Sequence, residues 1–170
     1  NIYHITWVTH NSRISDRMKR HNVKTGPALI FTLNEEAEIA GYIAEVAIED
    51  KIKILSFNIC REHVHLLLKC QESIRDNIIN KLKVVSSRKY NMAHGYTKSQ
   101  KQFGDLLNSE KERGKTQNKV WAQKYNWSLI TDETALTNTY HYVKYNRLKH
   151  QLPENKKLEE IIEQMITPFE

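Results

Sequence analysis

Two short stretches of this 170-residue chain combine residue types that can do chemistry at spacings that matter. The first is Glu62-His63-Val64-His65-Leu66-Leu67-Leu68. Side chains alternate along a strand, so His63 and His65 leave one face while Val64, Leu66 and Leu68 leave the other for a core. Two imidazoles so placed can share one metal ion and keep other coordination positions open. A pair of half-exposed histidines at a strand start is the plainer alternative. The second stretch is Tyr140-His141-Tyr142-Val143-Lys144-Tyr145-Asn146-Arg147. On a helix, Tyr142 and Asn146 stand four apart and share a face. A phenol there can act as a nucleophile, and an amide oxygen beside it can complete a metal site. The plainer alternative is a set of packing tyrosines with wet hydroxyls.

Elements to hold these stretches follow from residue patterning. Ile2 to Val8 is β-branched and aromatic and reads as a strand, followed by a charged loop over 9–28. Asn34 resembles an N-cap, with Glu35 and Glu36 in a first turn where carboxylates suit the helix dipole. Ala37, Ala40, Ile43, Ala44 and Ala47 then form a helical stripe ending near Asp50. Lys51–Ile59 and Val64–Lys69 read as a strand pair joined through 60–63, which makes a hairpin. Ser73 is expected to cap a second helix with Ile74, Ile78, Leu82 and Val85 at helical spacing. Residues 91–119 are polar, basic and poorly periodic. Val120–Ile130 contains a fourth strand, and a third helix starts at Thr131 or Asp132 and runs through Tyr142 and Asn146. Pro153 interrupts or follows it, and Leu158, Ile161, Ile162 and Met165 mark a short tail helix. The order β-α-β-β-α-β-α predicts an α+β, ferredoxin-like antiparallel sheet with two helices on one face and the other face free to build a site. The tyrosine-bearing helix is expected beside the His-Val-His strand. Residues 1–152 are expected to form one catalytic domain and 153–170 a C-terminal tail helix.

Composition narrows the class. Hydrophobic residues at 39% and charged residues at 27% suit an ordered domain with a solvated surface. No apolar run approaches the roughly 20 residues of a membrane-spanning helix, and no signal peptide is visible. Two cysteines, Cys60 and Cys70, cannot make a disulfide framework and read as reduced thiols of a cytoplasmic protein. The net charge of +6 is unevenly placed. Residues 81–124 carry eleven Lys or Arg against three acids, and residues 13–24 carry five against Asp16 alone. Such blocks suit a polyanion, because cations gain affinity by releasing phosphate counterions. Arg13, Arg17, Lys19 and Arg20 form the first candidate track. Lys81, Lys83, Arg88 and Lys89 on the second helix form the other.

Taken together the motifs resemble the REP-associated tyrosine transposases, a branch of the single-tyrosine HUH endonucleases that includes insertion-sequence transposases. The HUH element (His-hydrophobic-His) matches His63-Val64-His65 within EHVHLLL. The tyrosine helix of that family, roughly Tyr-Ile-x-x-Asn-Pro-Val-x-x-Gly, matches the stretch from Tyr142 to Gln151. Tyr3-His4-Ile5-Thr6-Trp7 with Thr9-His10-Asn11 resembles the family's first strand and following loop. Trp121-Ala122-Gln123-Lys124-Tyr125 resembles its Trp-Gln-x-x-Tyr segment. The likeness runs in consistent order over about residues 3–150. Three positions depart: Arg147 stands for the usual Pro, Gln151 for the Gly, and Cys60-Arg61-Glu62 for Met-Pro-Asn. These bear on substrate preference and leave Tyr140 and Tyr145 as alternative nucleophiles, although only Tyr142 has the Tyr-to-Asn spacing of four.

The resemblance implies that His63, His65 and Asn146 hold a divalent metal, Mg²⁺ or Mn²⁺, and that Tyr142 is the nucleophile. It implies a transposase that cleaves and rejoins hairpin-containing single-stranded DNA through a 5′-phosphotyrosine link. Cytoplasmic, nucleoid-associated action and a monomer rather than a dimer go with that reading, and no membrane partner does. Two other functions fit the residues less closely: a non-catalytic module that binds single-stranded nucleic acid, and a metal nuclease that uses water while Tyr142 is structural.

Overall fold

The computed structural model describes residues 1–96 and 119–169. Much of the basic stretch expected between 91 and 119 therefore lies outside the described residues. Four strands, β1 (Ile2–Val8), β2 (Lys53–Cys60), β3 (His63–Lys69) and β4 (Asn126–Leu129), form one antiparallel sheet in the order β2-β3-β1-β4. With α2 (Leu33–Glu49) and α3 (Glu72–Ala93) as crossovers, this is the βαββαβ arrangement expected from the sequence.

The alternation of β1 explains how one strand serves two faces. Tyr3, Ile5 and Trp7 are buried in the main core, whereas Ile2, His4, Thr6 and Val8 are half-buried on the other side. Val64, Leu66 and Leu68 of β3 and Ile54, Phe57 and Ile59 of β2 join the same core. Against them pack Ala37, Ala40, Ile43 and Ala47 of α2 and Ile79 and Leu82 of α3. Leu55, Leu67 and Val143 are buried but lie outside that core cluster. They belong to a second, thinner contact, made where α4 (Glu133–Lys144) crosses β2 and β3.

Several boundaries differ from expectation for readable reasons. α2 is capped by Thr32, not Asn34: the Thr32 hydroxyl accepts from Glu35 N–H while the Glu35 carboxylate accepts from Thr32 N–H. That reciprocal capping box satisfies two orphan donors, which a lone Asn cannot do. α3 starts at Glu72 with Gln71 at the cap, which places Ser73 inside the first turn. Its buried stripe runs Arg75, Ile79, Leu82, Ser86 and Tyr90, so Ile74 faces outward. The 9–28 loop contains a short helix α1 (Asp16–Arg20) capped by the Ser15 hydroxyl.

The third helix is broken where the sequence suggested continuity. α4 ends at Lys144, Tyr145 stands between, and α5 (Asn146–Lys149) follows. Asn58 of β2 supports this break: its buried Nδ2 donates to the carbonyls of Val143 at 3.0 Å and Lys144 at 3.1 Å. Both hydrogens of one amide are thus used on carbonyls at the end of α4. Pro153 follows α5, and the tail helix α6 (Lys156–Met165) packs on α2 through Leu158 and Met165. Beyond it, Thr167 N–H donates to Ile54 O and the Phe169 ring meets Tyr140 of α4.

Candidate functional site

Register builds the site. In the β1–β3 ladder Thr6 faces His65 and Val8 faces His63, so the half-buried residues of β1 share a surface with both histidines. β2 and β3 meet through a two-residue connection, Arg61 and Glu62, with Cys60 paired to His63. Arg61 adopts a left-handed conformation (φ 50°), which costs a non-glycine residue about 1 kcal/mol. The turn is held regardless: Arg61 N–H donates to Glu36 Oε2 at 2.9 Å, and Phe31 N–H donates to Arg61 O at 2.9 Å. The His63 position is therefore fixed from behind by α2.

Asn146 arrives from α5 and is fully buried. Its Oδ1 lies 3.2 Å from His63 Nε2 and accepts from the Cys60 thiol, also at 3.2 Å. Its Nδ2 is buried with no partner among the described residues. Tyr142, on the last turn of α4, sets its ring edge-on to His65 (centroids 5.4 Å apart) and to His4 (5.9 Å). Tyr142 as a whole remains 37% exposed, so a substrate can reach it. Of the neighbouring tyrosines, Tyr140 packs on Phe169 and Tyr145 stacks on His141. The break at Tyr145 thus leaves Tyr142 and Asn146 facing the same strand from two consecutive helical segments.

The surroundings are electrostatically unusual. Burial, reinforced by repulsion from His63, His4, His150 and Arg13, pushes the His65 imidazole down to about 3. Burial also lowers His4 below its ordinary value. Both rings are therefore neutral at pH 7, the form in which imidazole ligates metals. Burial pushes the Cys60 thiol up to about 12, with Glu36 and Glu62 adding to the shift and Arg147 opposing it. Lys149 places its ammonium 4.5 Å from the Tyr142 ring centroid. A cleft of about 410 Å³ opens beside His63 between Ser12, Ile30, Arg61, His150 and Leu152.

Among the described residues, no group of three His, Cys, Asp or Glu side chains is arranged to hold a metal. The candidate set is of another kind, two imidazoles and an amide. It fits a divalent cation on two counts. His63 Nε2 and Asn146 Oδ1 are separated by the roughly 3 Å expected of neighbouring ligands in an octahedral shell with bonds of about 2.1 Å. The second count is chemical: neutral nitrogen donors and a carbonyl oxygen suit Mg²⁺ or Mn²⁺ with positions to spare.

The basic residues divide. Arg13, Arg17, Lys19 and Arg20 are exposed, and Arg13 is near enough to depress His65. Lys81 pairs with Asp50, the C-cap of α2, and Lys89 with Glu45 of α2. Lys83 is buried, and its ammonium donates to the carbonyls of Ala122 and Gln123 at 2.9 Å each. Its burial comes with a lowered pKa. Arg88 is exposed and borders a cleft of about 440 Å³ with Lys119 and Trp121. Sequence reasoning passed over four neighbours of the site: His4, Cys60, Asn58 and His150. Only His4 carried a usable signal, since it lies on the outward face of β1 in a strand that must pair with the His-Val-His strand.

The antiparallel α+β sheet thus has two helices behind it, and paired imidazoles, an amide and a phenol gather on its open face. The chain belongs to the IS200-like transposase family, whose model matches residues 2–146, and that membership supports an enzymatic role in DNA transposition. No curated protein matches the chain. A solved structure of a REP-associated tyrosine transposase bound to a REP hairpin shares the fold. It has 13% identity and a TM-score of 0.50 over 88% of this chain and 67% of that one. A candidate transposase from Deinococcus radiodurans R1 is similar at 14% identity and a TM-score of 0.43, over 91% of this chain and 92% of that one. Among the described residues no helix is long and apolar enough to cross a membrane.

Proposed function

We propose that this chain is a metal-dependent single-stranded DNA endonuclease and strand transferase that acts on hairpin-containing DNA. The observation that carries this reading is the convergence of Tyr142 and Asn146 on His65 and His63. A binding module has no need of that set. His63, His65 and Asn146 would hold Mg²⁺ or Mn²⁺. When bound, the ion neutralises charge on a phosphate oxygen and so favours attack at phosphorus.

The chain's own groups supply the rest. The Tyr142 hydroxyl oxygen bonds to the scissile phosphorus while the bond from phosphorus to the 3′ oxygen breaks. The phenolic proton is given up as the departing 3′ oxygen gains one, which leaves a 5′-phosphotyrosine and a free 3′-hydroxyl. Tyrosine ionises near pH 10, so the attack needs help. The Lys149 ammonium over the ring is placed to offset negative charge as it gathers on the phenol. Reversal by a 3′-hydroxyl rejoins DNA without a nucleotide triphosphate, because the phosphodiester energy is kept in the covalent link.

Arg13, Arg17, Lys19, Arg20 and Arg88 are the exposed cations proposed to follow the DNA backbone, with Lys81 and Lys89 free to exchange their carboxylate partners for phosphate. Lys83 is engaged in holding the 122–123 backbone to α3, so its part in any DNA grip is indirect. Hairpin DNA is proposed as substrate on the precedent of the relative solved with a REP hairpin. Residues 1–152 would form the catalytic unit and 153–170 its tail. The acting form is proposed to be a monomer, working in the cytoplasm at the nucleoid.

The test uses end-labelled hairpin-containing single strands on denaturing gels, with and without Mn²⁺, for wild type and Tyr142→Phe. The expected result is a metal-dependent, protease-sensitive adduct that is absent from the variant. Cleavage that survives in Tyr142→Phe without an adduct would assign the attack to water and overturn the tyrosine mechanism.

A further inference from the structure

His4 lies outside the proposed ligand set, yet it makes the most direct contact with it. Its Nε2 is 3.1 Å from His65 Nδ1, and the two rings lie nearly parallel, 15° apart with centroids separated by 5.4 Å. Both belong to neighbouring strands of the sheet, β1 and β3, so the separation is set by backbone pairing and not by a mobile loop. The contact is too short to be accidental packing between two nitrogens: one proton must lie between them, and only two arrangements exist. Either His4 donates to His65, which leaves the His65 proton on Nε2, or His65 donates to His4, which leaves the Nε2 lone pair free. A nitrogen bearing a proton cannot ligate.

We infer that His4 is a positioning residue for this chemistry: by accepting from His65 Nδ1–H it holds His65 in the tautomer whose Nε2 can bind the metal. The inference rests on the proposed metal site, but the tautomer it assigns exists without metal. Two features of the surroundings agree with it. His65 is buried, so water is a poor substitute for His4 as its hydrogen-bond partner. His63 has a looser neighbour by a different route, since its Nδ1 lies 3.6 Å from the Glu62 carboxylate, beyond hydrogen-bond distance, while Nε2 faces Asn146. Each histidine of the pair thus has a separate group at its Nδ1. An outer partner of this kind is typically worth 10- to 100-fold in metal affinity.

The experiment compares wild type, His4→Phe and His4→Gln. Phe keeps a ring on β1 without an acceptor, whereas Gln keeps an acceptor oxygen without a ring. Imidazole nitrogen shifts of the metal-free proteins at pH 7.5 report the His65 tautomer, and Mn²⁺ titration followed by electron paramagnetic resonance reports affinity. The expected result is an Nδ1–H tautomer in wild type and His4→Gln that is lost in His4→Phe. Mn²⁺ affinity should fall about 10- to 100-fold in His4→Phe and within about threefold of wild type in His4→Gln. A His65 tautomer identical in all three proteins overturns the inference, as does equal loss of affinity in Phe and Gln. Should wild type bind no Mn²⁺, the metal reading fails, and the tautomer shifts still decide what His4 does.

Discussion

Arg147 directly follows Asn146 in α5, and the structure gives it a demanding job. Its guanidinium donates to Glu36 Oε2 at 2.5 Å, to Ile59 O at 3.1 Å and, from Nη2, to Pro153 O at 2.7 Å. Glu36 is fully buried in the first turn of α2. Replacing Arg147 by Met leaves that carboxylate with the Arg61 N–H as its remaining donor. Stranding one member of a buried pair costs about 3–5 kcal/mol. With a urea dependence of about 2 kcal/mol/M, the unfolding midpoint should drop by about 2 M. Glu36→Met added to Arg147→Met removes the stranded charge and should recover at least about 2 kcal/mol. Recovery should stop short of wild type, because the carbonyls of Ile59 and Pro153 stay unpaired. Urea titrations of the four proteins at pH 7.5, read by tryptophan fluorescence, complete the cycle. A single variant that costs under about 1 kcal/mol, or a double variant no more stable than Arg147→Met, would refute the assignment of a paired buried charge.

Three further outcomes follow from the structure. His65 sits at about 3 in the folded chain against 6.5 unfolded, so the unfolded state binds the proton first and stability is lost as pH falls below 6.5. Between pH 7.5 and 5 the loss from this group is about 2 kcal/mol, and urea titrations in EDTA should show it in wild type and not in His65→Gln. Lys83→Met should destabilise the fold by about 2 kcal/mol, through the unpaired carbonyls of Ala122 and Gln123, and leave the salt dependence of single-strand binding unchanged. Arg88→Ala should do the reverse, with the slope of log affinity against log salt reduced by about 0.7, and identical slopes for the two variants would contradict the division of these cations.

The sheet and its two rear helices were legible because their signals are local: alternation in Ile2–Val8 and Val64–Lys69, and an alanine stripe in α2. Cap positions were less so. Thr32 and Asn34 are both good cap residues, but only Thr32 has a Glu three residues later, Glu35, where Asn34 has Ala37. The break after Lys144 could not be read from Tyr142-to-Asn146 spacing, because it depends on Asn58, more than eighty residues away. The same holds for Lys83, which looks like any solvent-facing lysine until the 122–123 carbonyls come to meet it. His63, His65, Tyr142 and Asn146 were nominated by type, spacing and resemblance. Their convergence is a tertiary fact, made by the hairpin register and by a helix from the far end of the chain.

The two-sided character of β1 has a consequence for how this gene can change. Tyr3, Ile5 and Trp7 serve the interior while His4 and Thr6 serve the opposite surface, in strict alternation. Gain or loss of a single codon within this strand exchanges the two sets. Three aromatic or aliphatic side chains would turn outward, and histidine and threonine would turn into a packed interior, in the strand that bridges β3 and β4. Substitutions here can be absorbed one at a time, but odd-numbered insertions or deletions strike folding and site together. Length polymorphism should therefore be excluded from residues 2–8, where both faces are at stake.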